Sequence, residues 1–331
     1  MTQSDPQTDW RAIHGDHFSG SRVLITGGAG FIGSHLAHGL TQLGATVVVM
    51  DNLVGGNRLN LAGLSSVEFV EGSILDQPLL HQCMRGCRYV FHQAALGSVP
   101  ASVEQPRLFH DVNSTGTLNV LESARNAKVQ RVMFAASSSV YGENGVPWIE
   151  TMPALPQSPY AATKLAGEGL LRAYSGSLGL DTVSLRYFNV FGPRQNANSA
   201  YAAVIAAFAK AVIAGKRPII YGDGEQSRDF TYVDNVVQAN LLAARRKESI
   251  RGEVINVGCG GRITVNQLAR QVAAMLNRPG LVAVHEPDRA GDLKHSFADL
   301  TRARAMLSFE PIVGFETGLG RTLRWYRSAL G

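Results

Sequence analysis

The stretch from Ser21 to Asp51, SRVLITGGAGFIGSHLAHGLTQLGATVVVMD, constrains the fold more than any other part of the chain. Val23, Leu24 and Ile25 form a short apolar run next to glycine, which predicts a buried parallel strand. Glycines follow at 27, 30 and 33, and a second β-branched run, Thr46–Val49, leads to Asp51. Each part has a physical use. Gly27 allows a tight turn, and Gly30 lets backbone N–H groups approach a pyrophosphate. Gly33 lets the next helix pack against the strand, and that helix's N-terminus carries partial positive charge. An acid some 20 residues beyond the glycines suits a ribose diol and repels a 2′-phosphate, so the stretch predicts NAD rather than NADP.

The 331 residues suffice for a sizeable core, and 45% hydrophobic with 17% charged residues describe an ordinary soluble protein. No apolar run approaches the length that spans a bilayer. Residues 1–20 carry Asp5, Asp9 and Asp16 and no apolar leader, so they read as a poorly ordered N-terminal extension of a cytoplasmic protein. Lys and Arg are scattered and the net charge is only +5, which speaks against a nucleic-acid partner and is met by an anionic small substrate. Cys83 and Cys87 lack the two-residue spacing of redox or zinc motifs, and with Cys259 they read as reduced thiols. His35 and His38 lie one helical turn apart but have no arranged carboxylate or thiol beside them, so no metal site is expected.

Beyond Asp51, the turn-rich run from Asn52 to Asn57 suits the adenosine ribose. Short strands are predicted at Val67–Val70, before Ser73 and Ile74, and at Tyr89–His92, before the small residues Gln93, Ala94 and Ala95. Helical periodicity over Asp111–Ala127 leads into a strand at Arg131–Ala136. This alternation predicts an α/β fold with a doubly wound parallel sheet. The strand ends at Ser137, Ser138 and Ser139, where substrate-facing residues belong in such sheets. After a proline-rich loop, Pro159 opens a helix on which Tyr160 and Lys164 share one face. An ammonium near a phenol favours the phenolate, so Tyr160 is a candidate general base and Lys164 its partner, with Ser137 holding the substrate hydroxyl. Taken alone the pair could equally be two solvated side chains; the preceding fingerprint and serine cluster favour chemistry.

TGGAGFIG, DN after the second strand, SSSVYG and YAATK together resemble the extended short-chain dehydrogenase/reductase family, in its nucleotide-sugar epimerase branch. The similarity runs from about Arg22 to the C-terminus and includes LRYFNVFGPR, GDG and RDFTYVD. It implies a Rossmann-type NAD domain over 21–186, with 231–258 returning to it. A smaller mixed α/β domain for a UDP-sugar would then comprise 187–230 and 259–331. The resemblance adds Phe31, Ile32, Asn113 and Tyr187 to the cofactor's contacts, with Ser73 replacing a usual Asp near the adenine. By the same resemblance Asn189 and Arg228 bind the diphosphate, and Ala203, Val204, Ile219 and Tyr221 pack round the uridine. Arg289 and Asp292 clasp phosphate and ribose, and Gly97, Ser98, Gln195 and Ser296 line the sugar pocket.

Dehydratases of that family carry an Asp-Glu pair after the catalytic Ser/Thr and decarboxylases a Glu there. Ser138 and Ser139 can supply neither at neutral pH, so both reactions lose support, whereas the epimerisation that the resemblance implies, at C4 through a transient 4-keto sugar with tightly held, regenerated NAD, needs only the core set. The run from Gln195 to Ile205 resembles bacterial UDP-N-acetylglucosamine 4-epimerases, and a small residue at 296 implies room for an N-acetyl group. The expected reaction is therefore interconversion of UDP-GlcNAc and UDP-GalNAc, with UDP-Glc and UDP-Gal also admissible. UDP-glucuronate epimerisation and a non-catalytic binder of NAD or nucleotide sugar stay open. The helices Asp111–Ala127 and Pro159–Ser177 would pair with a second copy in a four-helix homodimer, as in the family.

Overall fold

The structure is a computed structural model that describes residues 8–197, 203–288 and 294–330. Seven strands form its central sheet: β1 (Arg22–Thr26), β2 (Thr46–Asp51), β3 (Val67–Glu71), β4 (Tyr89–His92), β5 (Arg131–Ser137), β6 (Asp181–Tyr187) and β7 (Glu253–Val257). All are parallel, in the order β7-β6-β5-β4-β1-β2-β3. Helices α1 (Phe31–Gln42), α2 (Gly116–Asn126), α3 (Pro159–Ser177) and α4 (Val233–Arg245) are the main covers. Strand alternation divides the apolar side chains between two layers. Val23, Ile25, Val47 and Val49 enter one core with α4 residues such as Val236 and Leu241. Leu24, Val48, Val90 and Val132 enter the other, with Val120 and Leu121 of α2 and Leu171 of α3. Burial on both faces is why these strands read as continuous apolar runs. The strand order reverses between β1 and β4, and that places a crevice at their C-terminal ends.

Arg131, at the start of β5, is 1% exposed and spends its guanidinium on the end of α4. Its Nη1 donates to the carbonyls of Ala243 (2.6 Å) and Arg246 (2.8 Å), and Nη2 to that of Glu248 (2.8 Å). Nε donates to Asp181 Oδ2 at 2.7 Å. Carbonyls at a helix C-terminus lack intrahelical partners and carry partial negative charge, so one buried cation satisfies them and locks α4 to the sheet.

A second core, built from Phe191, Phe208, Phe230, Leu268 and Leu323 among others, lies in the C-terminal part of the chain. Its strands are short pairs: Val190–Phe191 with Thr231–Tyr232, Ile219–Tyr221 with Val284–Glu286, and Ser227–Arg228 with Ile263–Thr264. The helices Val204–Ile213, Val265–Met275 and Phe315–Leu330 pack among them. The helix from Val265 begins with a reciprocal cap between Thr264 and Gln267, as the pattern of a hydroxyl residue three before a glutamine requires.

Two expectations need correcting. Residues 8–20 of the N-terminal extension pack onto the rest of the chain: Trp10 and Phe18 are buried, and a helix spans Trp10–His14. Thr8 Oγ1 donates to Asp234 at 2.6 Å, and His14 Nε2 bonds Gln238 at 2.8 Å, both on α4. The acids of this segment suggested a solvated tail, but Trp10 packs over Gly39 of α1 and Phe18 sets its ring edge-on to Tyr89 of β4. The helix expected from Asp111 begins instead at Pro106, and Asp111–Thr115 is a π turn inside it. Among the described residues no helix is long and apolar enough to cross a membrane.

Candidate functional site

The glycine loop between β1 and α1 forms one wall of the crevice. Gly27 has φ +69, and a Cβ there would come within 2.7 Å of the Ala94 backbone after β4. A Cβ on Gly33 would lie 2.2 Å from the Gly27 carbonyl oxygen, so only glycine lets α1 start this close to the loop. Gly30 is the N-cap of α1, with no side-chain cap and no acid in the first turn. The helix thus starts with uncapped N–H groups, including those of Phe31 and Ile32, and an unneutralised positive dipole end, the donor set an anionic pyrophosphate requires. At the end of β2 the Asp51 carboxylate is 7% exposed. Its Oδ2 accepts the Ala29 N–H at 2.9 Å and Oδ1 the Leu53 N–H at 2.8 Å. Each oxygen retains a lone pair for a ribose hydroxyl. These groups fit a dinucleotide.

Asn52 is exposed and its Oδ1 accepts the Val54 N–H at 3.3 Å. Ser73 Oγ accepts the Leu75 N–H at 3.2 Å, and Ile74 is buried with its carbonyl held by Asn119 at 3.1 Å. Gln93, Ala94 and Ala95 are partly buried along the loop after β4, with Gly97 exposed and Ser98 capping the helix Val99–Glu104. Tyr187, at the end of β6, is buried, and its hydroxyl meets Asn240 at 2.8 Å and Gln93 at 3.3 Å. Burial pushes this phenol up to about 12.

Ser137, Tyr160 and Lys164 meet at the C-terminal ends of β5 and β6. Ser158 caps α3 through a hydrogen bond from the Ala161 N–H at 3.2 Å, and Pro159 occupies the first turn, which fixes where Tyr160 emerges. Lys164 is 4% exposed, not solvated. Its Nζ donates to the Ala135 carbonyl at 2.8 Å and lies 5.0 Å from the Phe134 ring centroid and 5.8 Å from that of Tyr160. Burial pushes this ammonium down to about 8, opposed by the charge of Glu168 one turn on. Burial raises the half-buried Tyr160 phenol above its ordinary value, and the Ser137 hydroxyl opposes that rise. A weakened ammonium beside a phenol is an arrangement that can take up and return a proton. Ser137 Oγ accepts the Ser139 N–H at 3.2 Å, and Ser139 Oγ is buried with no hydrogen-bond partner among the described residues.

Several supporting groups escaped the sequence reading. Glu168 lies four residues past Lys164 and receives a bidentate fork from Arg186 at 2.8 and 2.7 Å. Both side chains are 5% exposed, and the guanidinium sits 4.5 Å over the Tyr141 ring. The Tyr160, Lys164, Glu168 spacing was visible, but the partner strand that supplies Arg186 was not. Asn113, which the resemblance had assigned to the cofactor, is buried on the π turn and bonds Leu96 and Thr163. His35 and His38 point their Nε2 atoms at separate backbone carbonyls, Pro193 and Asn60, each at 3.0 Å. No group of three or more His, Cys, Asp or Glu able to hold a metal occurs among the described residues. Arg194 reaches from the second core's side and donates to the Asn60 carbonyl at 2.9 Å, tying the two parts together beside α1.

In the C-terminal part, Asn189 has φ +33 and spends its amide donors on the Asp229 carbonyl (3.1 Å) and Ser296 Oγ (3.0 Å). Ser296 is buried directly against it. Asp229 is fully buried, accepts N–H groups of Cys259 (2.9 Å), Gly260 (3.1 Å) and Ala298 (3.2 Å), and is pushed up to about 6 by burial. Arg228 Nη1 donates to the Ser227 carbonyl at 3.0 Å, and Gln195 Nε2 to that of Val190 at 3.0 Å. Ala203 is the exposed N-cap before Val204, and Ile219 and the partly buried Tyr221 bound one short strand. Arg289 and Asp292 lie outside the described residues.

Residues 23–258 match the family described as the NAD dependent epimerase/dehydratase family, and the chain belongs to it. A UDP-N-acetylglucosamine 4-epimerase from Methanobrevibacter ruminantium, solved with UDP-N-acetylmuramic acid, superposes with a TM-score of 0.90 at 40% identity, covering 94% of this chain and 99% of that one. A Thermus thermophilus UDP-glucose 4-epimerase solved with NAD gives 0.84 at 38% identity, covering 93% and 99%. A UDP-glucose 4-epimerase from Mycolicibacterium smegmatis is 38% identical over 313 residues, 93% of this chain and 99% of the relative.

Lys164 sets a pH dependence of stability. Its folded value lies near 8, below the ordinary 10.5, so between these values the unfolded chain binds more protons and stability rises with pH. Below about 8 the cost of burying the ammonium is felt in full. Lys164→Met is therefore expected to be more stable than the parent at pH 7 by roughly 1–2 kcal/mol, with the advantage shrinking above pH 8. Urea unfolding at pH 7 and 9.5 checks this, and a variant less stable than the parent at pH 7 would contradict it.

Proposed function

We propose that this member of the NAD-dependent epimerase/dehydratase family is a UDP-N-acetylglucosamine 4-epimerase, interconverting UDP-GlcNAc and UDP-GalNAc, with UDP-Glc and UDP-Gal able to enter the same pocket. In this reading residues 21–186 and 231–258 form the NAD-binding unit, and 187–230 with 259–331 form the UDP-sugar unit. NAD, when bound, supplies a hydride acceptor and donor at sugar C4. The rest is the work of side chains. The phenol of Tyr160 takes the proton of the C4 hydroxyl and later returns it, while Ser137 holds that hydroxyl in place. Lys164 supplies the adjacent positive charge that favours the phenolate. Gly27, Gly30 and Gly33 leave the backbone bare for the pyrophosphate, and Asp51 receives the ribose.

The observation that carries the reaction type is that serines, not carboxylic acids, occupy the two positions after Ser137. Its neighbours Ser138 and Ser139 can neither protonate a leaving hydroxyl nor act as a carboxyl acid or base, which disfavours loss of water or CO₂. The sugar preference rests on Ser296, a small side chain packed against Asn189, where a bulky residue would fill space. Likeness to the Methanobrevibacter enzyme points the same way. Arg228, with Arg289 and Asp292, is assigned to the diphosphate and ribose, since a guanidinium fork matches paired anionic oxygens, whereas the amide donors of Asn189 are spent on Asp229 and Ser296.

Proton NMR of purified protein with UDP-GlcNAc and no added NAD tests the reading. A growing UDP-GalNAc anomeric signal is expected, absent in Tyr160→Phe. Ser296→Tyr should lose at least about 100-fold on UDP-GlcNAc while keeping UDP-Glc turnover within about tenfold, the signature of steric exclusion. Turnover of UDP-glucuronate alone would overturn the substrate assignment, and silence on all three sugars would leave a non-catalytic binder.

We also assign a homodimer built on the helical stretch 106–126 and α3, where Leu108 and Leu118 are 45% and 37% exposed. Light scattering at micromolar concentration should give twice the chain mass, and Leu118→Glu a single-chain mass; a monomeric parent would contradict the assignment.

A further inference from the structure

A single path of buried side-chain hydrogen bonds runs from Thr26, immediately before the glycine loop, to the first turn of α3. Thr117 Oγ1 donates to the Asn113 carbonyl at 2.6 Å, so it must accept at its other contact, His92 Nε2, 2.9 Å away. His92 therefore carries its proton on Nε2. The bare Nδ1 accepts from the Thr26 hydroxyl at 2.8 Å, and Thr26 Oγ1 in turn takes the Ala94 N–H at 3.4 Å. Beyond Thr117, Asn113 Oδ1 accepts the Leu96 N–H at 2.9 Å, while Nδ2 donates to the Leu96 carbonyl and to Thr163 Oγ1, each at 3.1 Å. Thr163 closes the path by donating to the Tyr160 carbonyl at 2.8 Å. Each hydroxyl on the path has one donor and one acceptor, and no proton has to be shared.

We propose that His92 is a positioning residue: through Thr117 and Asn113 it holds the π turn, and with it Thr163 and the first turn of α3, in fixed register with the glycine loop. The physical reason lies in the turn itself. Asp111–Thr115 contains one residue more than a regular helical turn, and reversion to α geometry would rotate what precedes it by about 100° relative to α2. Asn113 would then leave Leu96 and Thr163. The bonds from His92 and Asn113 offset that reversion, and they do so inside a dry core, where unmade bonds are costly. His92 is 1% exposed, and its ring lies tilted against that of Phe134, 5.5 Å between centroids, the ring beneath Lys164. Burial and the Lys164 charge keep its imidazole neutral, so the tautomer persists through the physiological range.

The inference rests on the reading of Tyr160 as proton carrier, and the experiment separates the two. His92→Phe keeps a ring against Phe134 but neither nitrogen; its kcat is expected to fall at least about tenfold with KM for the UDP-sugar within about threefold, since placement and not binding is lost. His92→Gln, which keeps a donor, should recover part of the loss. Thr26→Val and Thr163→Val share no hydrogen bond, yet the double variant should lose far less than the product of the single losses, because either one breaks the same path. Product-like losses, or a kcat for His92→Phe within about twofold of the parent, would overturn the proposal. If His92→Phe does not fold, the threonine cycle decides. Nitrogen NMR of ¹⁵N-histidine-labelled protein without cofactor should show His92 protonated at Nε2 and bare at Nδ1; the opposite tautomer would sink the assignment. Full turnover in Tyr160→Phe would remove the proton-carrier reading and the positioning claim with it. Lost turnover there with independent threonine effects removes the positioning claim alone.

Discussion

The burial of one ammonium organises the centre of this protein. Lys164 sits between the β-sheet and α3 with a single carbonyl, Ala135, to receive a hydrogen bond, and aromatic faces on two sides. Water would hold that charge far better than this pocket does, and the depressed ammonium value records the cost. The surroundings are arranged to make the cost tolerable. Glu168 stands one turn away and its charge favours the ammonium, and Arg186 holds Glu168 in place by a two-pronged contact. Arg186 in turn lies against Tyr141, just after the serine run. The helix α3, the turn after the strand-end serines and β6 are thus fastened to one another by the buried Glu168–Arg186 pair.

Two further ties place the remaining parts. Asp51 bonds the loops on either side of it, so the acid that would meet a ribose also shapes the floor on which the dinucleotide rests. Arg194 crosses from the second core to Asn60, near the same floor. The two parts are joined beside α1, and in the proposed reading the sugar lies elsewhere, near Asn189 and Ser296, where substrate contacts can vary without disturbing the NAD site. That separation explains how relatives with one fold and one cofactor act on different nucleotide sugars.

What was legible in the sequence is what depends on neighbours in sequence. The glycines before α1, the acid ending β2 and the four-residue step from Tyr160 to Lys164 are local patterns, and the parallel sheet follows from the alternation of apolar runs with helical ones. The Arg131 cap on α4, the Glu168–Arg186 fork and the path through His92 are different. Each joins residues more than a dozen positions apart along the chain, and nothing about a lone arginine or histidine announces its partner. The π turn was hidden because Asp111–Ala127 keeps a helical apolar period through it. The N-terminal segment was misjudged because its charges are conspicuous and its two large aromatic residues only make sense against surfaces supplied by α1 and β4.

In the proposed reaction the Tyr160 phenol, which burial holds un-ionised, is turned into a base by the positive charges around it. An ultraviolet difference titration of the phenolate band, with and without bound NAD and with Tyr160→Phe as the blank, measures this directly. The account predicts that Tyr160 titrates above the ordinary tyrosine value in the cofactor-free chain and at least about two units lower once NAD is bound. An ionisation that stays where it was on loading would contradict it, and the proton would have to be carried by another group.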